Sequence, residues 1–345
     1  MGWLVGMTAA EKIALFTSFL SAGFTVAMAV WTYASQRDLE ELKGRIARTN
    51  SLEDAKQEYE FEARKRLYAQ IEPLLFQLTE IAFESYYRVV SLVRSKTDLG
   101  RGPDSWVVEK PGAGVGTRYY LNSTIYKLFL PLAIYRLLQR SATLVDLKLD
   151  PDIRTKYYLL KTASICFTDD FPLAKDFSPL DYDPKNPDWV DLRQNEPAKY
   201  WAQGLVIGRL EQFSDALIVK DGDRLRPMNF GEFEKALAGD PDFRRVFVPP
   251  HDVFQGFSFE ERPILARILL AQAALMHLLN EHLPQPLTAR DIDAKLDAFR
   301  AGEETRSKLR WWTDGEPDPW DAVLPYLKRQ LRWVFPADAL QEEKP

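Results

Sequence analysis

The chain has 345 residues, 46% of them hydrophobic and 28% charged, with a formal net charge of −5. That apolar content excludes a disordered chain, and that charged content excludes a protein of many membrane spans, so most of the sequence must fold into a globular body with a sizeable core. The acidic balance gives no basic field for nucleic acid, and the single cysteine, Cys166, excludes an internal disulfide and suits a reducing compartment.

After a short tail, residues 1–12, no charge occurs from Ile13 to Ala34. As a helix this run spans roughly 33 Å, enough for the hydrocarbon core of a bilayer. Trp31 and Tyr33 fall at its end, where interfacial aromatics are expected. The competing reading is a cleavable signal peptide, because Ala27-Met28-Ala29 offers small residues after an apolar stretch, and it predicts a mature N-terminus near Val30. Against it, Glu11 offsets Lys12 ahead of the run, which itself continues through Val30 and Trp31. Lys12 precedes the helix, whereas Arg37, Lys43, Arg45 and Arg48 follow it closely, so the positive-inside rule places the C-terminal body in the cytoplasm. Small residues recur every fourth position at Ala14, Ser18 and Ala22, and again at Ser21, Thr25 and Ala29, two faces through which such helices could pack as homo-oligomers. The alternative is that these residues simply abound in membrane helices.

Residues 35–52 read as an amphipathic or coiled-coil stalk, carried by Leu39, Leu42 and Ile46, with Asn50-Ser51 interrupting it and Ser51 as a cap. A first helical subdomain, 53–171, begins with a long helix whose apolar face carries Leu67, Ile71, Leu74, Leu78, Ile81 and Val89. Pro73 should kink it or mark a join. Two further helices are predicted, from Leu121 to Gln139 and from Asp152 to Thr168. Five prolines and five aspartates crowd 172–197, a long loop or a boundary between subdomains. A second helical subdomain, 198–345, holds one β-hairpin near 216–226, with Asp221-Gly222 supplying the positive φ angles of a type I′ turn. Asn229 caps a short helix, and Ser258 with Glu261 forms a capping box for a strongly apolar helix from Phe259 to His282. Arg267, Gln272 and His277 interrupt that helix, which reads as the central core helix and not a second span.

Several residue sets touch on chemistry. His277 and His282 flank Glu281, but zinc-protease helices space their histidines by four, and five turns the second ring away by about 140°. His251-Asp252 has the central pair of HD-type metal hydrolases without the upstream histidine, and reads as a polar pair in a turn after Pro249-Pro250. Asp146-Leu147-Lys148, on the alternating segment Leu144 to Leu149, has a nuclease-like spacing, yet no acid lies between Thr117 and Arg140. Asp169, Asp170, Asp176, Asp181 and Asp183 could offer oxygen ligands to a divalent cation, without an EF-hand pattern. Gly112, Gly114 and Gly116 lack the Lys-Ser/Thr ending of a phosphate loop, and Cys166 reads as a small core residue. The most unusual stretch is C-terminal: Trp311, Trp312, Trp320 and Trp333 accompany Lys308, Arg310, Lys328, Arg329 and Arg332. Tryptophans among cations suit a lipid or partner surface, or else staple the last helices to the core.

The expectation is therefore a mainly α protein: a single N-terminal transmembrane helix, a short stalk, then a helical cytoplasmic domain with one small β-hairpin. Its partners are the lipid bilayer, further copies of itself and an unidentified protein, with no nucleic acid, no cofactor, no metal and no catalytic residue assigned. The function expected is that of a non-enzymatic interaction module: a scaffold, a sensor or the membrane component of a multi-protein bacterial system, including stress or phage defence. The alternatives are a metal-dependent hydrolase using Asp169 to Asp183, and an oligomeric channel or membrane-perturbing effector.

Overall fold

A computed structural model describes residues 8–97, 119–142, 147–168, 205, 207–222, 224–254, 263–281, 283, 287–316 and 318–335. The protein is mainly α, with one two-stranded antiparallel sheet among the described residues. Two compact units divide between Glu62 and Ala63, within the first helix, α1 (Ala9–Thr97).

The first unit is helical throughout its described part. Its start is fixed by a capping box: Thr8 Oγ1 accepts from the Glu11 amide at 3.4 Å, and the Glu11 carboxylate accepts from the Thr8 amide at 2.8 Å. The interruption predicted at Asn50-Ser51 does not occur, and Ser51 is an interior helical residue, not a cap. With no glycine or proline there, two mediocre helix formers cost only tenths of a kcal/mol each, on the order of what neighbouring i,i+4 pairs such as Arg45–Glu41 return.

The second unit is built around α8 (Pro263–Asn280), apolar on nearly all sides and buried accordingly. The latter part of α1 lays Leu67, Ile71, Leu74, Leu78 and Val89 into the core as their spacing predicts, with Ile81 half-buried. Pro73 sits inside α1 without ending it; it and Ala69, whose carbonyl it deprives of a donor, are both exposed residues. α2 (Tyr119–Ala142) buries Tyr126, Leu130, Ile134 and Leu138, and the Tyr126 hydroxyl donates to the Met228 carbonyl at 2.8 Å. α3 (Pro151–Ile165) starts on Asp150, whose carboxylate accepts from the amides of Asp152 and Ile153. Cys166 and Phe167 follow it in a turn and are fully buried.

α4 (Ile207–Ala216) leads into β1 (Ile218–Asp221) and β2 (Arg224–Pro227), paired from Ile218 with Pro227 to Asp221 with Arg224. Gly222 has φ of +59°, but Asp221 is the last paired strand residue, so the left-handed turn begins one position later than predicted. Arg226 ties the hairpin to α5 (Phe230–Gly239) by two 2.8 Å bonds to Glu232, which also completes the capping box with Asn229. α6 (Pro241–Val246) and α7 (Val248–Phe254) follow. His251 is thus helical and buried, not in a turn, since Pro249 and Pro250 fall in the first turn of α7, where no amide is required. The chain closes with α9 (Ala289–Ala301), capped by Thr288 and Asp291, α10 (Glu303–Lys308) and α11 (Trp320–Val334). The predicted start of the core helix at Phe259, with the Ser258 and Glu261 box, lies outside the described residues.

Two polar side chains of α8 are buried. The Gln272 amide donates to the Ala163 carbonyl at 2.9 Å, and the Arg267 guanidinium donates to the Thr168 carbonyl while lying over the Tyr326 ring. They satisfy carbonyls at the C-terminal end of α3, where no further helical turn can.

Candidate functional site

Two regions carry the residues singled out from the sequence. The first is the uncharged run of α1, the one described helix long and apolar enough to cross a membrane, and none of it is buried. Phe16, Phe19, Phe24 and Trp31 each leave 68 to 72% of their surface open. Within it Thr17, Ser18, Thr25 and Thr32 turn their hydroxyls onto carbonyls of the preceding turn at 2.7 to 2.9 Å. Every polar side chain bonded in this way already has its hydrogen bond inside the helix, which an apolar surrounding requires. Ala14, Ser18 and Ala22, and Ser21, Thr25 and Ala29, are all exposed on this helix.

The second region lies where α9, α10 and the start of α11 meet. A cavity of about 500 Å³ is lined by Asp297, Arg300, Ala301, Thr305, Arg306, Arg310, Trp312, Asp318 and Trp320. Trp320 is 3% exposed and meets Phe299 edge-on, with ring centroids 5.9 Å apart. Trp311 is buried and holds the half-buried Trp312 ring at 5.1 Å in an edge contact. Arg300 pairs with Asp318 at 2.9 Å and with Asp321, while burial works against its charge and those two carboxylates more than compensate, raising its pKa. Arg310 pairs with Asp314 and donates from Nε to the Trp312 carbonyl at 3.2 Å.

Of the tryptophans and cations predicted as one surface, the fold gathers Arg310, Trp312 and Trp320 at this cavity, with Trp311 behind. Trp333 and Arg332 are elsewhere: Trp333 is 73% exposed, and Arg332 pairs with Asp293 on α9. Along one helix the separation of Trp320 and Trp333 turns the second ring about 140° from the first. Arg300, Arg306, Thr305, Asp297 and Asp318 were not singled out from the sequence; the only available signal was the charge of α9 and α10, which looks like any solvated helix face.

On the other side of the α9–α10 corner a second cavity, about 290 Å³, is lined by residues that include Tyr86, His277, Glu281, Lys295, Phe299 and Glu304, and Thr305 borders both cavities. His277 Nε2 lies 3.4 Å from Glu281, which Lys295 also contacts at 2.9 Å, and the Lys295 hydrogen bond lowers the Glu281 pKa. Burial first, and Glu304 second, push the Tyr86 hydroxyl up to about 12. His277 is therefore engaged with a neighbouring carboxylate and the rings of Tyr86 and Phe299, while His282 lies outside the described residues.

The remaining candidates resolve as follows. Buried His251 donates from Nδ1 to the Phe247 carbonyl at 2.6 Å, and the Asn122 side chain lies 3.0 Å from Nε2, a packing role inside the core. The strand that a nuclease centre would need around Lys148 is a 3-10 turn, Leu147–Leu149, and Asp146 lies outside the described residues. The aspartates at 169, 170, 176, 181 and 183 and the glycines at 112, 114 and 116 also lie outside them. Among the described residues, no group of three or more His, Cys, Asp or Glu side chains is placed to hold a metal ion. Compared with known proteins, the chain matches no family model, no curated protein and no solved structure.

Proposed function

We propose that this protein is a membrane-anchored, non-enzymatic helical interaction module, whose C-terminal body works on the cytoplasmic side as a scaffold or sensor. The observation that carries this reading is the exposure of the uncharged α1 run: several phenylalanines and a tryptophan open to their surroundings along one helix are stable in lipid and costly in water. The hydroxyls closed onto their own backbone support the same surrounding. The orientation follows from Arg37, Lys43, Arg45 and Arg48 on the C-terminal side against Lys12 on the other.

Self-association through the small-residue faces belongs to this proposal. With the Ser18 and Thr25 hydroxyls already bonded, those faces contribute close backbone approach and not hydrogen bonds between helices. Alkaline extraction of expressing cells, followed by protease treatment of sealed spheroplasts, tests the placement: the chain stays in the membrane pellet and its body is protected. Release into the supernatant overturns the anchor, and digestion of the body overturns the orientation. Ser18→Leu with Ala22→Leu reduces the crosslinked oligomer in membranes; an unchanged oligomer size removes the assembly role.

A further inference from the structure

We propose that the cavity between α9, α10 and α11 binds a small planar anion, an aromatic ring carrying a phosphate or carboxylate, with the oxyanion on Arg306 and Arg310 and the ring on Trp312. This stands independently of the membrane reading.

The cavity's volume, about 500 Å³, falls within the range of small-ligand pockets. Its wall carries three guanidinium groups against two carboxylates. The three are not equivalent. Arg300 is held between Asp318 and Asp321 and shapes the wall. Arg306 is exposed and has no ion-pair partner among the described residues. Arg310 donates from Nε to the Trp312 carbonyl and otherwise pairs with Asp314, a residue almost wholly open to water, and an exposed pair of that kind is weak enough to exchange for a ligand oxyanion. A guanidinium presents a planar fork of donors that matches phosphate or carboxylate oxygens two at a time.

Trp312 supplies the second element. It is neither buried like Trp311 nor open like Trp333, and the edge contact from Trp311 holds its ring at the cavity wall. A fixed indole beside a cation is a surface for a flat ring. The carboxylates refine the choice: Asp297 is held by Lys328 at 2.7 Å, and Asp318 by Arg300. Neutralised in this way, they repel an anion little and still accept hydrogen bonds from amino or hydroxyl groups on it.

The experiment uses the full chain in detergent micelles and isothermal titration calorimetry with four probes: adenosine monophosphate, salicylate, adenosine and inorganic phosphate. At least one of the first two binds saturably, and adenosine and phosphate, each with half of the required chemistry, bind about tenfold more weakly or worse. Arg306→Gln weakens the ring-bearing anion about tenfold with an unchanged melting temperature, since Arg306 is exposed, and Trp312→Leu weakens it similarly. Absence of saturable binding by both ring-bearing anions, binding indifferent to Arg306→Gln, or phosphate alone binding as tightly as adenosine monophosphate overturns the proposal.

Discussion

The early and late stretches of α1 share a secondary structure and differ in almost everything else. From Ile13 through Tyr59 the large hydrophobic side chains are open, Phe16, Leu20, Leu39, Ile46 and Leu52 among them, whereas from Leu67 to Val93 every third or fourth residue is buried. The contrast separates forming a helix from being stabilised by a core. The late stretch repeats its apolar residues at the spacing that puts them on one side, and the second unit covers that side. The early run is uncharged all round its circumference, and none of it is buried among the described residues.

The sharpest way to break this comparison is a pair of cations in the early run. Phe19→Arg with Val26→Arg costs about 2.5 to 3.5 kcal/mol per residue near a bilayer centre and should move the protein out of the membrane pellet without changing the melting of the body. Retention in the pellet would mean that the run is not what holds the protein there. Next in size, Leu275→Ala in α8 removes a fully buried side chain and should cost about 2 to 5 kcal/mol in urea unfolding, while Leu20→Ala should leave that transition where it is. Equal effects of the two would erase the distinction between the stretches.

Smaller effects sharpen the account of the body. Asn122→Leu keeps the branching of the side chain but removes the polar atom 3.0 Å from the buried His251 Nε2, and should cost about 1 to 3 kcal/mol by thermal unfolding. The smallest is a pH effect. The two hydrogen bonds from Arg226, then that from the Asn229 amide, lower Glu232 from its ordinary 4.5 to about 2. A lowered folded-state value means that the contribution is complete above 4.5 and is lost as the pH falls toward 2. A carboxyl titration followed by NMR should show this midpoint, and Arg226→Gln should return it toward 4.5. A wild-type midpoint already at 4.5 would show that the hairpin is not clamped to α5.

What was legible in the sequence was periodicity. The Leu67 to Val89 face, the hairpin and the Asn229 cap depend on neighbours within a turn or two; the face and the cap are found where the pattern puts them, and the hairpin turn one residue later. The misplacements have local physical causes. Asp221 and Gly222 can divide a turn in two ways, and strand pairing chose the later one. Pro73 does not end α1, and it falls on the exposed side of the helix, a circumstance set by packing. The cavity was out of reach for a different reason. Arg300, Arg306 and Asp318 come together only after α9, α10 and α11 fold, whereas Trp333, close to them in sequence, is turned away by helical phase.

The two buried donors of α8 have one further effect. Arg267 reaches Thr168 and Gln272 reaches Ala163, so a step of five residues forward along α8 matches five backward through the turn after α3 into its last residues. Leucines packed on leucines would tolerate a slip by a whole turn at modest cost, because one apolar ridge resembles the next. Two polar contacts set at matched intervals do not, since a slip of a turn leaves both donors in an apolar interior. They act as a vernier, fixing where along its length the central helix stops sliding against its neighbour.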